Sequence, residues 1–170
     1  MRRALPSMAA ILAGTLLQVS IAPQIAIGGT VPNLLLLVTV TVALVEGSRA
    51  GAIGGFAAGL VFDLLGTGPV GAMAFVLALI GHLAGSLQEQ MFAEGWRLPV
   101  SVVALASLLS EVAYWLVLWV NGAAPPFLAT LSQVIVPSAL YNGALALLVY
   151  PWLARLLRRE RPVRTFSRLA

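Results

Sequence analysis

Glycine recurs at every fourth position from Gly47 through Gly51 and Gly55 to Gly59, and the next step lands on Asp63. In a water-soluble helix each interior glycine costs about 1 kcal/mol relative to alanine. In a lipid bilayer the same spacing is useful, because small residues let two helix backbones approach until van der Waals packing holds them. A carboxylate at the end of such a stripe is expensive in hydrocarbon, so Asp63 needs a partner or a task. Each four-residue step drifts by about 40° around the helix, so the stripe spirals and can serve several neighbours, or one that crosses at an angle. Gly54, Ala57 and Ala58 widen its small surface.

The rest of the chain fits that reading. Of 170 residues, 60% are hydrophobic and 9% charged, with a mean hydropathy of +0.98. A soluble domain carries roughly 25% charged residues, and no soluble fold hides this much apolar surface, so the class is an all-α polytopic membrane protein. With no cysteine there is no disulfide framework or thiol chemistry, and with His82 as the single histidine no multi-histidine metal site. No metal or cofactor is expected. Every basic residue is arginine: Arg2, Arg3, Arg49, Arg97, Arg155, Arg158, Arg159, Arg161, Arg164 and Arg168. They flank apolar spans and no soluble domain presents them, so they point to membrane topology and not to nucleic acid.

The pattern predicts a single membrane domain with six spans, over residues 5–21, 32–45, 50–65, 70–87, 99–120 and 128–153. The first, opened by Arg2 and Arg3, is read as a retained helix; its small-x-small site at Ser20-Ile21-Ala22 runs into Pro23. Pro32 suits a first helical position. Glu46-Gly47-Ser48-Arg49 and Gly66-Thr67-Gly68-Pro69 are turn signals. Residues 22–31 read as a loop and 88–98 as a polar loop or surface helix. Pro137, inside the sixth span, predicts a kink. A basic tail occupies 155–170. With the N-terminus inside, every arginine faces the cytoplasm and the outer loops carry none. Trp96, Tyr150 and Trp152 then fall at the inner interface, and Trp119 and Phe127 at the outer one.

Few side chains are left for chemistry. Asp63, just before the Gly-x-Gly-Pro turn, is placed to cap the next helix through its free N–H groups. Glu111 lies near mid-membrane, where an acid costs roughly 2.5–3.5 kcal/mol on insertion scales. It is expected to be buried and polar-paired, with His82, Ser107, Ser110, Tyr114 and Asn142 as partners by depth; a substrate or proton site is the sharper alternative. Glu111, His82 and Asn142 form the predicted buried polar set. Arg155, Arg158, Arg159 and Arg161 are expected to lie on anionic lipid at the inner surface. Nucleotide and nucleophile motifs are missing. An outward-facing ligand pocket would draw on Gln24, Asn33, Asp63 and Asn121.

Pro32-Asn33-Leu34-Leu35-Leu36-Leu37, then Gly51-x-x-Gly54-Gly55-Phe56-x-x-Gly59-Leu60-x-x-Asp63-Leu64-Leu65, resemble the bacterial rod shape-determining MreD family. Gly68-Pro69-x-Gly71, His82 and Gly85 continue the likeness, as do the length, six short spans and basic tail. Asn33 departs from the family pattern, which has Asp after the proline; an amide also caps a helix there. The resemblance implies a non-enzymatic part of the elongasome in the cell inner membrane. The implied partner is MreC, a bitopic membrane protein, and through it RodA, its penicillin-binding transpeptidase and MreB filaments. It also implies a compact bundle similar to the S components of energy-coupling-factor vitamin transporters. Gly51, Gly55, Gly59 and Asp63 are the positions it weights most, as a helix-packing or partner face. The runner-up function is the substrate-binding subunit of a vitamin-type transporter, and a proton- or ion-conducting protein is the third.

Overall fold

The structure is a computed structural model, describing residues 5–90 and 97–159. It contains α1 (Leu5–Ser20), a 3-10 turn (Ala22–Ile25), α2 (Leu34–Glu46), α3 (Ser48–Leu65), α4 (Ala72–Gln90) and α5 (Arg97–Val120). It ends with α6 (Phe127–Thr130), a π-helical turn (Leu131–Ile135) and α7 (Val136–Arg159). The last three form one continuous apolar segment, Phe127–Leu157. Six apolar helical segments result among the described residues. Ser48–Leu65, Pro99–Val120 and Phe127–Leu157 are long and apolar enough to cross a membrane, whereas Leu5–Ser20, Leu34–Glu46 and Ala72–Gln88 are shorter.

The shortest of these apolar segments, α2, is the centre of the bundle. Every residue of α2 from Leu35 to Val45 is buried, and α1, α3, α4, α5 and α7 all pack on it. Leu35, Leu36, Leu37, Val40, Ala43 and Leu44 join Val76, Leu77 and Ile80 of α4 and Val102, Val103 and Ala106 of α5 in one core. A helix wrapped by protein need not match the hydrocarbon thickness, because its ends are satisfied by neighbours and not by water. The other helices bury one side. α1 turns Ser7, Gly14 and Thr15 inward and leaves Leu5, Met8, Leu12, Leu16 and Val19 exposed.

Local chemistry fixes the boundaries. Asn33, at the α2 N-cap, accepts from Leu36 N–H at 2.9 Å, so the second helix starts at Leu34 and not at Pro32. Gly47 ends α2 and begins α3 at φ 98°, a left-handed conformation that suits glycine. The expected polar turn is thus one residue long. In the 22–31 loop, Ile27 and Thr30 exchange backbone hydrogen bonds around Gly28 and Gly29 at φ 58° and 84°, the geometry of a tight primed turn.

Two expectations for the last span change. Near the predicted kink the helix widens into the π turn, and Val136 N–H bonds Leu131 O. The cause is Pro137, which has no N–H to return to the preceding turn. Pro151 does not end the helix either: α7 runs on to Arg159, so the basic tail begins as helix and not as a separate segment at 155. Leu153, Ala154 and Leu157 pack on Val38, Val42 and Val45 of α2, and that burial holds the last turns.

Candidate functional site

The glycine ladder is the seam of an α3–α4 hairpin. A β-carbon at Gly51 would lie 2.5 Å from Gly81 O and 2.5 Å from Ala43 Cβ. At Gly55 it would strike Leu77 O and the Thr39 methyl, and at Gly59 the backbone of Met73 and Ala74, 2.5 Å from Ala74 N and Cα. Gly85 lies equally close on Ser48. One contact per turn therefore runs the length of the antiparallel pair, with α2 filling the flank at Gly51 and Gly55. Gly51, Gly55 and Gly59 are all buried, so this face is occupied by the chain's own helices and has no room for a partner's.

Asp63 finishes the seam. Its Oδ2 accepts from Gly71 N–H at 2.9 Å and Ala74 N–H at 3.1 Å, and its Oδ1 from Met73 N–H at 3.2 Å. These are the orphan donors at the start of α4, where the helix dipole also favours a negative charge. The carboxylate is 5% exposed, so its cost in an apolar setting is offset by three backbone bonds and not by water.

The N-terminal end of α2 is capped by amides of α1, of α7 and of its own N-cap residue. Asn33 serves Leu36 N–H, Gln18 of α1 accepts from Leu35 N–H at 3.2 Å and donates to Pro32 O, and Asn142 of α7 accepts from Asn33 N–H at 2.8 Å. Asn142, fully buried, also donates to Ser107 Oγ on α5 at 2.7 Å. One turn further along α5, Ser138 of α7 donates to Glu111 Oε1 at 3.2 Å. Ser107 and Glu111 are four residues apart on α5, as Ser138 and Asn142 are on α7, so the two pairs make one antiparallel strip. Above this capped end lies a cavity of about 200 Å³ lined by Gln18, Asn33, Phe62, Met73 and Glu111 among others.

The structure brings together only part of the predicted set. Asn142 and Glu111 sit in one strip, but among the described residues Glu111 hydrogen-bonds Ser138 and none of the five partners expected by depth, of which Tyr114 lies within electrostatic reach. His82 is exposed on the outer face of α4 beside Leu79 and Leu83, which corrects its assignment as a buried group. Of the residues expected around an outward pocket, Asn33 alone lines the cavity. Gln24 and Asn121 are exposed and bond Ser20 O and Val117 O of their own turns. Gln18 was missed; its signal was a lone amide near the end of an apolar helix. Tyr114 stands over the α3–α4 turn, where a β-carbon at Gly68 would lie 2.7 Å from its hydroxyl. Arg155 is exposed on α7, Arg158 and Arg159 are on its last turn, and Arg161 and Trp96 lie outside the described residues.

The site therefore holds helices together: its polar side chains are engaged mainly with helix ends and with each other. Compared with curated proteins and with solved structures, the chain has no match. A family model does match, that of the rod shape-determining protein MreD, over residues 1–160. With that match across nearly the whole chain, and with apolar helices long enough to cross a membrane, this membrane protein belongs to the rod shape-determining MreD family.

Proposed function

We propose that the protein is a non-enzymatic scaffold of the bacterial elongasome that captures the transmembrane helix of MreC. Through it the protein supports peptidoglycan synthesis by RodA and its penicillin-binding transpeptidase, in register with MreB. On this reading it lies in the cytoplasmic membrane with both termini inside, because the arginines cluster at one end of the spans. Arg155, Arg158, Arg159 and Arg161 then rest on anionic lipid. The observation that carries the capture role is His82, an exposed imidazole on an otherwise apolar face of α4. A polar ring facing hydrocarbon is costly, and a helix packed there with a hydrogen-bonding group removes that cost. The partner face is accordingly the outside of α4 and not the glycine seam.

Co-purification of MreC with the wild-type chain and with His82→Leu tests this. Capture by the wild type and its loss in a variant that stays monodisperse support the reading. Undiminished capture by His82→Leu moves the interface elsewhere, and no capture by the wild type sinks the scaffold.

The outer cavity favours a second reading, a small-molecule-binding subunit on a bundle like the S components of energy-coupling-factor transporters. Gln18, Asn33 and Glu111 give it polar walls. A thermal-shift screen with vitamin-sized ligands decides: stabilisation abolished by Glu111→Leu supports it, and no shift with any ligand removes it.

A further inference from the structure

We propose that the groove between α1, α2 and α3 at their terminal-side ends binds an aminophospholipid, one with a primary ammonium and a phosphate in its headgroup. The groove has a volume of about 390 Å³ and is lined by Ser7, Met8, Ile11, Val42, Glu46, Arg49, Ala50, Ile53 and Gly54. That volume falls in the range of small-molecule sites, roughly 300–1,000 Å³. Its body is apolar: Met8 and Ile53 are exposed walls, 57% and 61% accessible, and Val42 is the buried floor. Gly54 keeps it wide, since a β-carbon there would run 2.5 Å from Ile11 Cδ1.

The two charges sit together at one end. Glu46 is the last residue of α2 and Arg49 is in the first turn of α3, on either side of the one-residue link Gly47. Ser7 of α1 donates its hydroxyl to Glu46 Oε1, which turns that carboxylate toward the groove's α1 side. Arg49 is exposed and lines the same groove as Glu46. An arginine and a carboxylate that line one apolar slot complement a zwitterion: the guanidinium takes the phosphate and the carboxylate takes the ammonium, while an acyl chain lies along Met8, Ile11 and Ile53. A purely anionic headgroup satisfies Arg49 alone and meets repulsion from Glu46. A quaternary ammonium satisfies the charge but donates no hydrogen bond. The preference for a primary amine follows from Glu46. The leaflet is the cytoplasmic one on the orientation proposed above, but the headgroup chemistry does not depend on that orientation or on partner capture.

Native mass spectrometry of the full chain in non-ionic detergent tests this, with phosphatidylethanolamine, phosphatidylcholine and phosphatidylglycerol of matched acyl chains added singly. Phosphatidylethanolamine is expected to be retained roughly five-fold over the other two, the worth of one charge-assisted hydrogen bond near a surface. Glu46→Gln is expected to remove that preference, and Arg49→Gln to weaken retention of all three. Ile53→Trp, on an exposed wall, is expected to block retention while the melting temperature holds. Equal retention of the three lipids by the wild type overturns the proposal, as does a preference that survives Glu46→Gln. Crosslinks from Ile53 to the transmembrane helix of a protein partner, with no lipid retained, also overturn it.

Discussion

Gly51 and Gly81 lie against each other's carbonyl oxygens, so closely that neither position has room for a β-carbon. The contact is backbone on backbone, and nothing nearby can rotate away. Gly51→Ala is therefore expected to destabilise the bundle by about 1–3 kcal/mol through overpacking. Gly143→Ala is the matched control, since its β-carbon would sit an ordinary 3.5 Å from Ala104 Cβ. Its stability should match the wild type or exceed it by up to about 1 kcal/mol, the helix-propensity gain of alanine over glycine. Thermal unfolding in detergent reads both, and equal melting of the two variants would show that the seam is not tight.

Asp63 serves three N–H groups with two oxygens. Asp63→Ala leaves them orphaned inside the bundle and is expected to cost about 2 kcal/mol or more. Asp63→Asn keeps one acceptor and should fall between alanine and wild type. Hydrogen exchange at Gly71, Met73 and Ala74 checks the mechanism: protection should fall there first, with the other end of the hairpin, near Ser48 and Gly85, less affected.

The seam was legible because it is local: the four-residue period and the Gly-x-Gly-Pro turn dictate a hairpin of small residues capped by Asp63. The central place of α2 was not. An all-round apolar helix in a membrane reads equally as lipid-facing or as buried, and residues 34–45 have no polar stripe to decide it. Depth alone also failed to pair Glu111. The signal was present as two four-residue spacings, Ser107 with Glu111 and Ser138 with Asn142, but using it requires knowing that α5 lies beside α7. That pairing is set by helices packing on α2, far apart in sequence. His82 was misplaced for the opposite reason. Burial was assumed for a polar residue in a span, and the structure turns it outward.

Asn142 is both donor and acceptor, tying Asn33 N–H at the head of α2 to Ser107 on α5. Asn142→Leu fills the space but leaves a buried N–H without a partner, at a cost of about 1–3 kcal/mol. Ser107→Ala removes only the second bond and should cost less. A double-mutant cycle on Asn142→Ala and Ser107→Ala is expected to give a coupling of about 1 kcal/mol. Additive effects would show that the two do not share a bond.

Thr39 offers the reverse case. Its hydroxyl is buried without a hydrogen-bond partner among the described residues, whereas Thr41, two residues along, donates to Leu37 O. Its methyl packs on Gly55 and Gly81. Thr39→Val keeps that methyl and removes the orphaned oxygen, so it is expected to raise stability by about 1 kcal/mol. A lower melting temperature would mean that the hydroxyl is satisfied after all.

His82 separates folding from capture. It is exposed on α4, so its removal leaves the core of Val76, Leu77 and Ile80 intact. His82→Leu and His82→Gln are both expected to melt within about 0.5 kcal/mol of the wild type, as surface substitutions do. They should differ in capture of a partner helix. Glutamine retains a hydrogen-bonding group in the apolar face and should retain capture, while leucine offers dispersion only and should lose it. Capture that is equal for the two, at unchanged stability, would remove the imidazole from the interface and place the partner's contact elsewhere on the bundle.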